Sequence, residues 1–206
     1  MKYFILPALF IITIVLNGCS SKTPDEYMKA AQENIQQKKI AEAIENYNDL
    51  IEKYPESAQA PEALSEMAQL NVSQKNISEA ITNYKTVIKK YPESSQAPDA
   101  LFQIATLYQN KMVKNTNDRD SYQKAEETFR IVFNKYPDSE KAPMALFLSG
   151  FILANDLRNY AEATKTYNLF LEKYPNHELA ASAKEELQNM GLSPDEILKQ
   201  KSQKNI

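Results

Sequence analysis

Only a few side chains in this sequence are suited to covalent or metal chemistry, and they stand apart from one another. The chain has one cysteine, Cys19, and one histidine, His177. A catalytic nucleophile needs a base within reach, and a metal needs several convergent ligands. A lone thiol near the start and a lone imidazole near the end supply neither. There are three glycines in 206 residues, with no glycine-rich phosphate loop and no His-Glu-x-x-His pair. The paired carboxylates Glu126-Glu127 and Glu185-Glu186 fall on helix faces predicted to be exposed. Neighbours there diverge by about 100° and do not converge on a substrate. Asn117, Asp118 and Asp120 have the residue types of a calcium loop, but neither the loop glycine nor the distal bidentate glutamate follows. A solvated extended turn is expected instead. His177 occupies the place that Ser57, Ser94 and Ser139 hold in parallel segments, which predicts a surface turn or a helix cap. These residues predict no enzyme and no metal site, and they leave Cys19 needing another reason.

The position of Cys19 supplies it. Met1-Lys2-Tyr3 is followed by an apolar stretch from Phe4 to Leu16, then Leu16-Asn17-Gly18-Cys19. A short basic start, an apolar core and a small residue before the cut have the shape of an export signal. The stretch falls short of the about 20 residues a membrane span needs, and Pro7 and Asn17-Gly18 would break a spanning helix. Leu16 to Cys19 resembles the bacterial lipobox, with Asn17 as the one departure. A plain export signal with an incidental cysteine, or an uncleaved anchor, are the alternatives. The resemblance implies cleavage before Cys19, a diacylglyceryl group on its thiol and an acyl group on its new amine; no other cofactor is expected. Two or more acyl chains anchor stably, at about 0.8 kcal/mol per buried methylene. Ser20, in place of Asp, resembles lipoproteins sent on to the outer membrane. The expected organisation is a cleaved signal over 1–18, a lipidated tether over 19–23, a repeat domain over 24–190, and a short helix with a frayed tail over 191–206.

The elements that carry these residues are predicted to be helical. Glycine is rare, charged residues make up 25% and apolar residues 43% of the chain, a composition of strong helix formers able to bury a core. The net charge of −3 argues against nucleic acid, which needs clustered Lys and Arg.

Four segments line up: Lys53-Tyr54-Pro55, Lys90-Tyr91-Pro92, Lys135-Tyr136-Pro137 and Lys173-Tyr174-Pro175, with tyrosines 37, 45 and 38 residues apart. A repeat of this length is a stacked helix pair. Upstream of each, Ala43/Tyr47/Leu50, Ala80/Tyr84/Val87, Ala125/Phe129/Val132 and Ala163/Tyr167/Phe170 fall on one helical face. Downstream, Leu64/Met67/Ala68/Asn71, Leu101/Ile104/Ala105/Tyr108 and Leu146/Ser149/Gly150/Leu153 form a second column. The prolines end each second helix. Thr23-Pro24-Asp25-Glu26 and Ser193-Pro194-Asp195-Glu196 are capping boxes, and Gly191 is suited to stop a helix in the left-handed conformation. About eight extra residues fall between Lys111 and Tyr122.

These positions resemble the tetratricopeptide signature over residues 24 to 190: small at the eighth, Ala at the twentieth, aromatic at the twenty-fourth, Pro at the thirty-second. Asn34 and Asn71 replace the usual large residue at the eleventh and are expected to loosen packing. The implied fold is an all-α tetratricopeptide (TPR) solenoid of antiparallel helix pairs, about four repeats plus a capping helix. In such arrays the first helix of each pair lines the inner face. Met28, Phe102, Phe147 and Phe151 are then candidates for a partner groove, with Gln32, Gln69 and Thr106 as polar neighbours; alternatively two of the phenylalanines pack against the fifth helix.

A lipobox followed directly by a repeat array resembles the BamD family, the repeat lipoproteins of the outer-membrane β-barrel assembly machine. The closest local likeness is Asp118-Arg119-Asp120 with Ala125, Phe129 and Tyr136-Pro137-Asp138-Ser139. The resemblance implies a periplasmic face, a bilayer contact through the acyl anchor, and protein partners that are assembly subunits or unfolded barrel substrates. The chain departs from the BamD family in being shorter and more regular, with nearer four repeats than five, which leaves a general repeat lipoprotein scaffold of the same superfamily as one alternative. Another is a likeness to the repeat protein of the Tol-Pal envelope-division system, although that family's coiled coil before the repeats is lacking.

Overall fold

A computed structural model of the chain describes residues 22–193 and 195–199; Cys19 and the leader before it lie outside the described residues. Among the described residues the main α-helices are, in order, α1 (Pro24–Gln36), α2 (Ile40–Lys53), α3 (Ala60–Ser73), α4 (Ile77–Lys90), α5 (Gln96–Gln109), α6 (Asp118–Lys135), α7 (Lys141–Phe151), α8 (Tyr160–Lys173) and α9 (Ala180–Asn189), and residues 195–199 are also helical. A π turn (Ile152–Asp156) continues α7. No strand occurs among the described residues. The chain is an all-α TPR solenoid: α1/α2, α3/α4, α5/α6 and α7/α8 are the pairs, and α9 closes the array.

Local chemistry sets each boundary. At α1, Thr23 Oγ1 accepts from Glu26 N–H at 3.3 Å and Glu26 Oε2 accepts from Thr23 N–H at 2.7 Å, so both halves of the capping box are made. Within each pair the turn passes through a left-handed residue, at Lys38, Lys75, Lys111 and Arg158, with φ between 53° and 63°. The Schellman bond follows in the first three: Lys39 N–H to Asn34 O, Asn76 N–H to Asn71 O and Met112 N–H to Leu107 O, at 2.8 to 3.0 Å. Basic side chains at these positions complement the negative ends of α1, α3, α5 and the π turn. Gly191, at φ +81°, follows Met190 at φ −56°, ψ 122°, which is a type II turn closed by Leu192 N–H on Asn189 O at 3.0 Å.

The twenty-fourth-position aromatics are the deepest side chains. Tyr47, Phe129 and Tyr167 have no exposed surface, and Leu50, Val87, Val132 and Phe170 are as deeply buried one turn on. They pack on small residues of the first helices. At Gly150 the fit is closest: a β-carbon there would stand 3.0 Å from the Tyr167 ring. Gly150→Ala is therefore expected to cost about 1–3 kcal/mol, because a ring held on all sides has nowhere to move; an unchanged urea midpoint would contradict this.

The tyrosine hydroxyls divide into two kinds. Tyr91 Oη donates to Pro55 O at 2.7 Å across a repeat junction. The Tyr47 and Tyr167 hydroxyls are buried with no hydrogen-bond partner, and burial, followed by the charges of Glu66 and Glu62, pushes Tyr47 up to about 12. Tyr91→Phe is expected to lose about 1 kcal/mol, whereas Tyr47→Phe is neutral or gains stability, since it removes a buried unpaired polar group. Thermal melts of the two variants give the comparison.

The extra residues of the third pair do two things. Four of them lengthen α6, which starts at Asp118, seven residues before Ala125, where α4 starts three before Ala80. The rest lengthen the connection, which spans 110–117 here against 74–76 in the second pair. Asp118 and Asp120 thus lie in the first helical turn and not in an extended loop, with Asn117 as N-cap accepting from Asp120 N–H at 2.9 Å. Asn71, expected to loosen its repeat, is itself buried.

Candidate functional site

Among the first helices, α3 touches α5 and α5 touches α7, while no comparable contact joins the successive second helices α2, α4, α6 and α8. The array therefore bends with these first helices inside, and the free faces of α3, α5 and α7 form one surface. Its two ends differ in chemistry. On α3, Glu62 is exposed and Glu66 half-buried, and burial together with the Glu62 charge raises the Glu66 carboxyl above its ordinary range. On α7 and its π turn, no charged residue occurs between Lys141 and Asp156.

The candidate residues fare differently. Met28 is 7% exposed and belongs to the core of the first repeat, with Tyr27, Ala31, Ala43 and Tyr47; it is unavailable to a groove. Phe102 is half-buried, edge-on to Phe129 at 5.1 Å, with Lys141 Nζ 5.8 Å from its ring centre and Asp99 3.9 Å from that ammonium. Phe147 is half-buried against Tyr167 and Phe170, at 5.6 and 5.8 Å. Its packing partner is therefore α8. Phe151, at the start of the π turn, is also half-buried. Met144 and Leu148 add partly exposed apolar surface on the same helix. The neighbours Gln32 and Gln69 are exposed and Thr106 half-buried.

Three features were missed by the sequence reading. Glu126 is 5% exposed, not surface-facing: it points from α6 at α7, where Ser149 Oγ donates to it at 2.9 Å, and Arg130 Nε lies 3.7 Å away. Adjacent Glu127 is exposed, so the pair splits across the helix as the 100° step requires. Glu185 is exposed, while Glu186 is half-buried and accepts from Asn155 at 3.4 Å. On the outer face, the spread of α4 from α6 opens a groove of about 340 Å³ over Ile88, Leu101, Ile104 and Tyr108, beside Ile131, which is 46% exposed. Ile131 is two residues past the buried Phe129; an apolar residue out of phase with the core column was the available signal.

The insertion is tied down. Lys111 Nζ lies 3.2 Å from Asp118 and 5.8 Å from the Tyr122 ring centre, and burial pushes the Asp156 carboxyl up, against the opposing effects of Tyr122 and Lys111. Ser121 Oγ donates to Tyr108 O at 3.0 Å. His177 acts as a turn cap: its Nδ1 accepts from Leu179 N–H at 3.1 Å, and its ring stands edge-on to Phe170 at 5.7 Å. No group of three or more His, Cys, Asp or Glu placed to hold a metal occurs among the described residues.

A family profile described as outer membrane lipoprotein, YfiO, matches residues 20–149. The chain belongs to this family. A tetratricopeptide repeat profile matches residues 144–177, which are α7, the π turn, α8 and the turn after it. Among solved structures, a tetratricopeptide repeat protein from Parabacteroides merdae ATCC 43184 is similar at a TM-score of 0.60 and 17% identity, over 81% of this chain and 59% of that one. The chain thus spans less than two thirds of that relative, and the likeness is one of fold. None of the curated proteins matches. The chain is a tetratricopeptide-repeat lipoprotein of the YfiO family, resembling BamD, and no described helix is long and apolar enough to cross a membrane.

Proposed function

We propose that this YfiO-family chain is a scaffold held on the periplasmic face of the outer membrane by the lipids of Cys19. In this reading it serves the assembly of β-barrel proteins by binding partner subunits or unfolded barrel segments along its inner face. The observation that carries it is α7: past its first residue, Lys141, the helix has no charge, and its Met144, Phe147, Leu148 and Phe151 keep partly exposed surface on a bent array. A half-wetted apolar strip flanked by polar helices is the usual form of a peptide-binding groove. The acidic side chains on α3 favour a partner segment with basic residues beside its apolar ones. The binding reading involves no catalysis, no metal and no cofactor beyond the diacylglycerol and N-acyl groups.

A photo-crosslinking residue at Phe151, in cells, tests it. Recovery of a barrel-assembly subunit or an unfolded barrel protein supports the reading, and recovery of Tol or Pal components replaces it with an envelope-division role. Depletion of the chain with unchanged levels of outer-membrane barrel proteins would sink the assembly role outright.

A further inference from the structure

The tether enters the fold as one repeat enters the next. Tyr91 Oη reaches back to Pro55 O, in the Tyr-Pro turn of the preceding pair, at 2.7 Å. Tyr54, its counterpart one repeat earlier, makes the same bond at 3.0 Å, but its acceptor is Lys22 O. The backbone at residue 22 thus stands where a preceding Tyr-Pro turn would be. Other contacts hold it there. Lys22 Nζ donates to Asn46 Oδ1 on α2 at 3.0 Å and lies 5.3 Å from the Tyr27 ring centre. Lys53 Nζ lies 5.1 Å from the same centre and donates to Tyr27 Oη at 2.7 Å. Thr23 is fixed by the capping box.

We propose that the first repeat is a clasp for the lipid tether, and that its Tyr-Pro edge, around Tyr54, Pro55 and Glu56, faces the bilayer. This rests on the reading of Cys19 as the lipid-bearing residue. Two residues separate Cys19 from Lys22, so their α-carbons lie within about 11 Å even at full extension. The far turn of the same repeat, at Lys39, is about 20 Å away along α1. A free leash lets the body tumble against the membrane, whereas a leash gripped at its base transmits the direction of the anchor to the array. Charge does not set this orientation: Lys22 and Lys53 at that edge are offset by Asp25, Asp49 and Glu56, with Lys53 already 2.8 Å from Asp49. The partner of the edge is a lipid surface met through geometry.

The acylated Cys19 leaves no free thiol, so one introduced cysteine is uniquely labelled. The full lipidated chain, as Glu56→Cys or Lys39→Cys, is labelled with a fluorophore. Each is reconstituted in phosphatidylethanolamine–phosphatidylglycerol vesicles carrying a headgroup nitroxide. Quenching is expected to be about threefold stronger at position 56, given the ~20 Å separation, and to persist at high salt, where charge attraction is screened. The difference should disappear in a Lys22→Ala/Tyr54→Phe background, whose folding a circular dichroism melt checks. Equal quenching at both positions in vesicle-bound protein, or a difference that survives in the double variant, overturns the clasp and leaves the anchor standing. A lipoprotein preparation that does not float with the vesicles overturns the anchor reading and the clasp together.

Discussion

Cys19→Ala is expected to yield an uncleaved precursor with no acyl chain, lost from the outer-membrane fraction. The effect is large if attachment rests on the lipids of Cys19, as proposed, since no described helix is long and apolar enough to span. Each acyl chain contributes about 0.8 kcal/mol per buried methylene, and two or more are needed for stable attachment. The apolar leader stays on the precursor, so total membrane association is the wrong measurement. The informative ones are palmitate incorporation, the intact mass of the N-terminus and separation of inner from outer membrane. Mature, outer-membrane-bound protein from this variant would refute the lipobox reading. The helical body, with its own core, is expected to keep its melting behaviour.

Phe129→Ala carries the largest expected loss of stability, about 3–5 kcal/mol. Phe129 has no exposed surface and packs with Leu101, Ala105, Ala125, Val132, Ala145 and Ile152, joining the third pair to α7. Domains of this kind have only about 5–15 kcal/mol in total. In a stacked array stability is shared between neighbouring repeats, so the loss uncouples α1–α4 from α7–α9 as well as weakening the third pair. The urea transition is expected to move to lower concentration and to broaden or split. A single unchanged transition would show that the repeats are coupled elsewhere. Phe102 stands edge-on to the same ring, so the variant also disturbs one wall of the proposed groove.

Much of the array was legible because its signals are local and repeated. Ala43, Ala80, Ala125 and Ala163 recur at fixed distance before Tyr-Pro pairs, and all four prove to be fully buried. The capping box at Thr23 and the stop at Gly191 are decided by residues within one turn, so sequence alone places them. Met28 shows the limit. Position within a helix suggested the inner face, but the side chain turns into the first repeat's core, where Tyr27 and Met67 also lie. Glu126 shows it from the other side: its neighbour Glu127 is exposed, and only the docking of α7 with Ser149 buries it.

The sequence by itself determined the helix pairs, their order and the place of the sole cysteine, since period, caps and breakers act over a few residues of one chain. The tertiary structure alone decided which phenylalanines stay partly exposed, where the outer groove opens, and that Tyr54 grips Lys22, 32 positions earlier in the chain. Those outcomes depend on how far apart whole helices settle. Helix spacing is set by side chains from several segments at once, a quantity no single stretch of sequence contains.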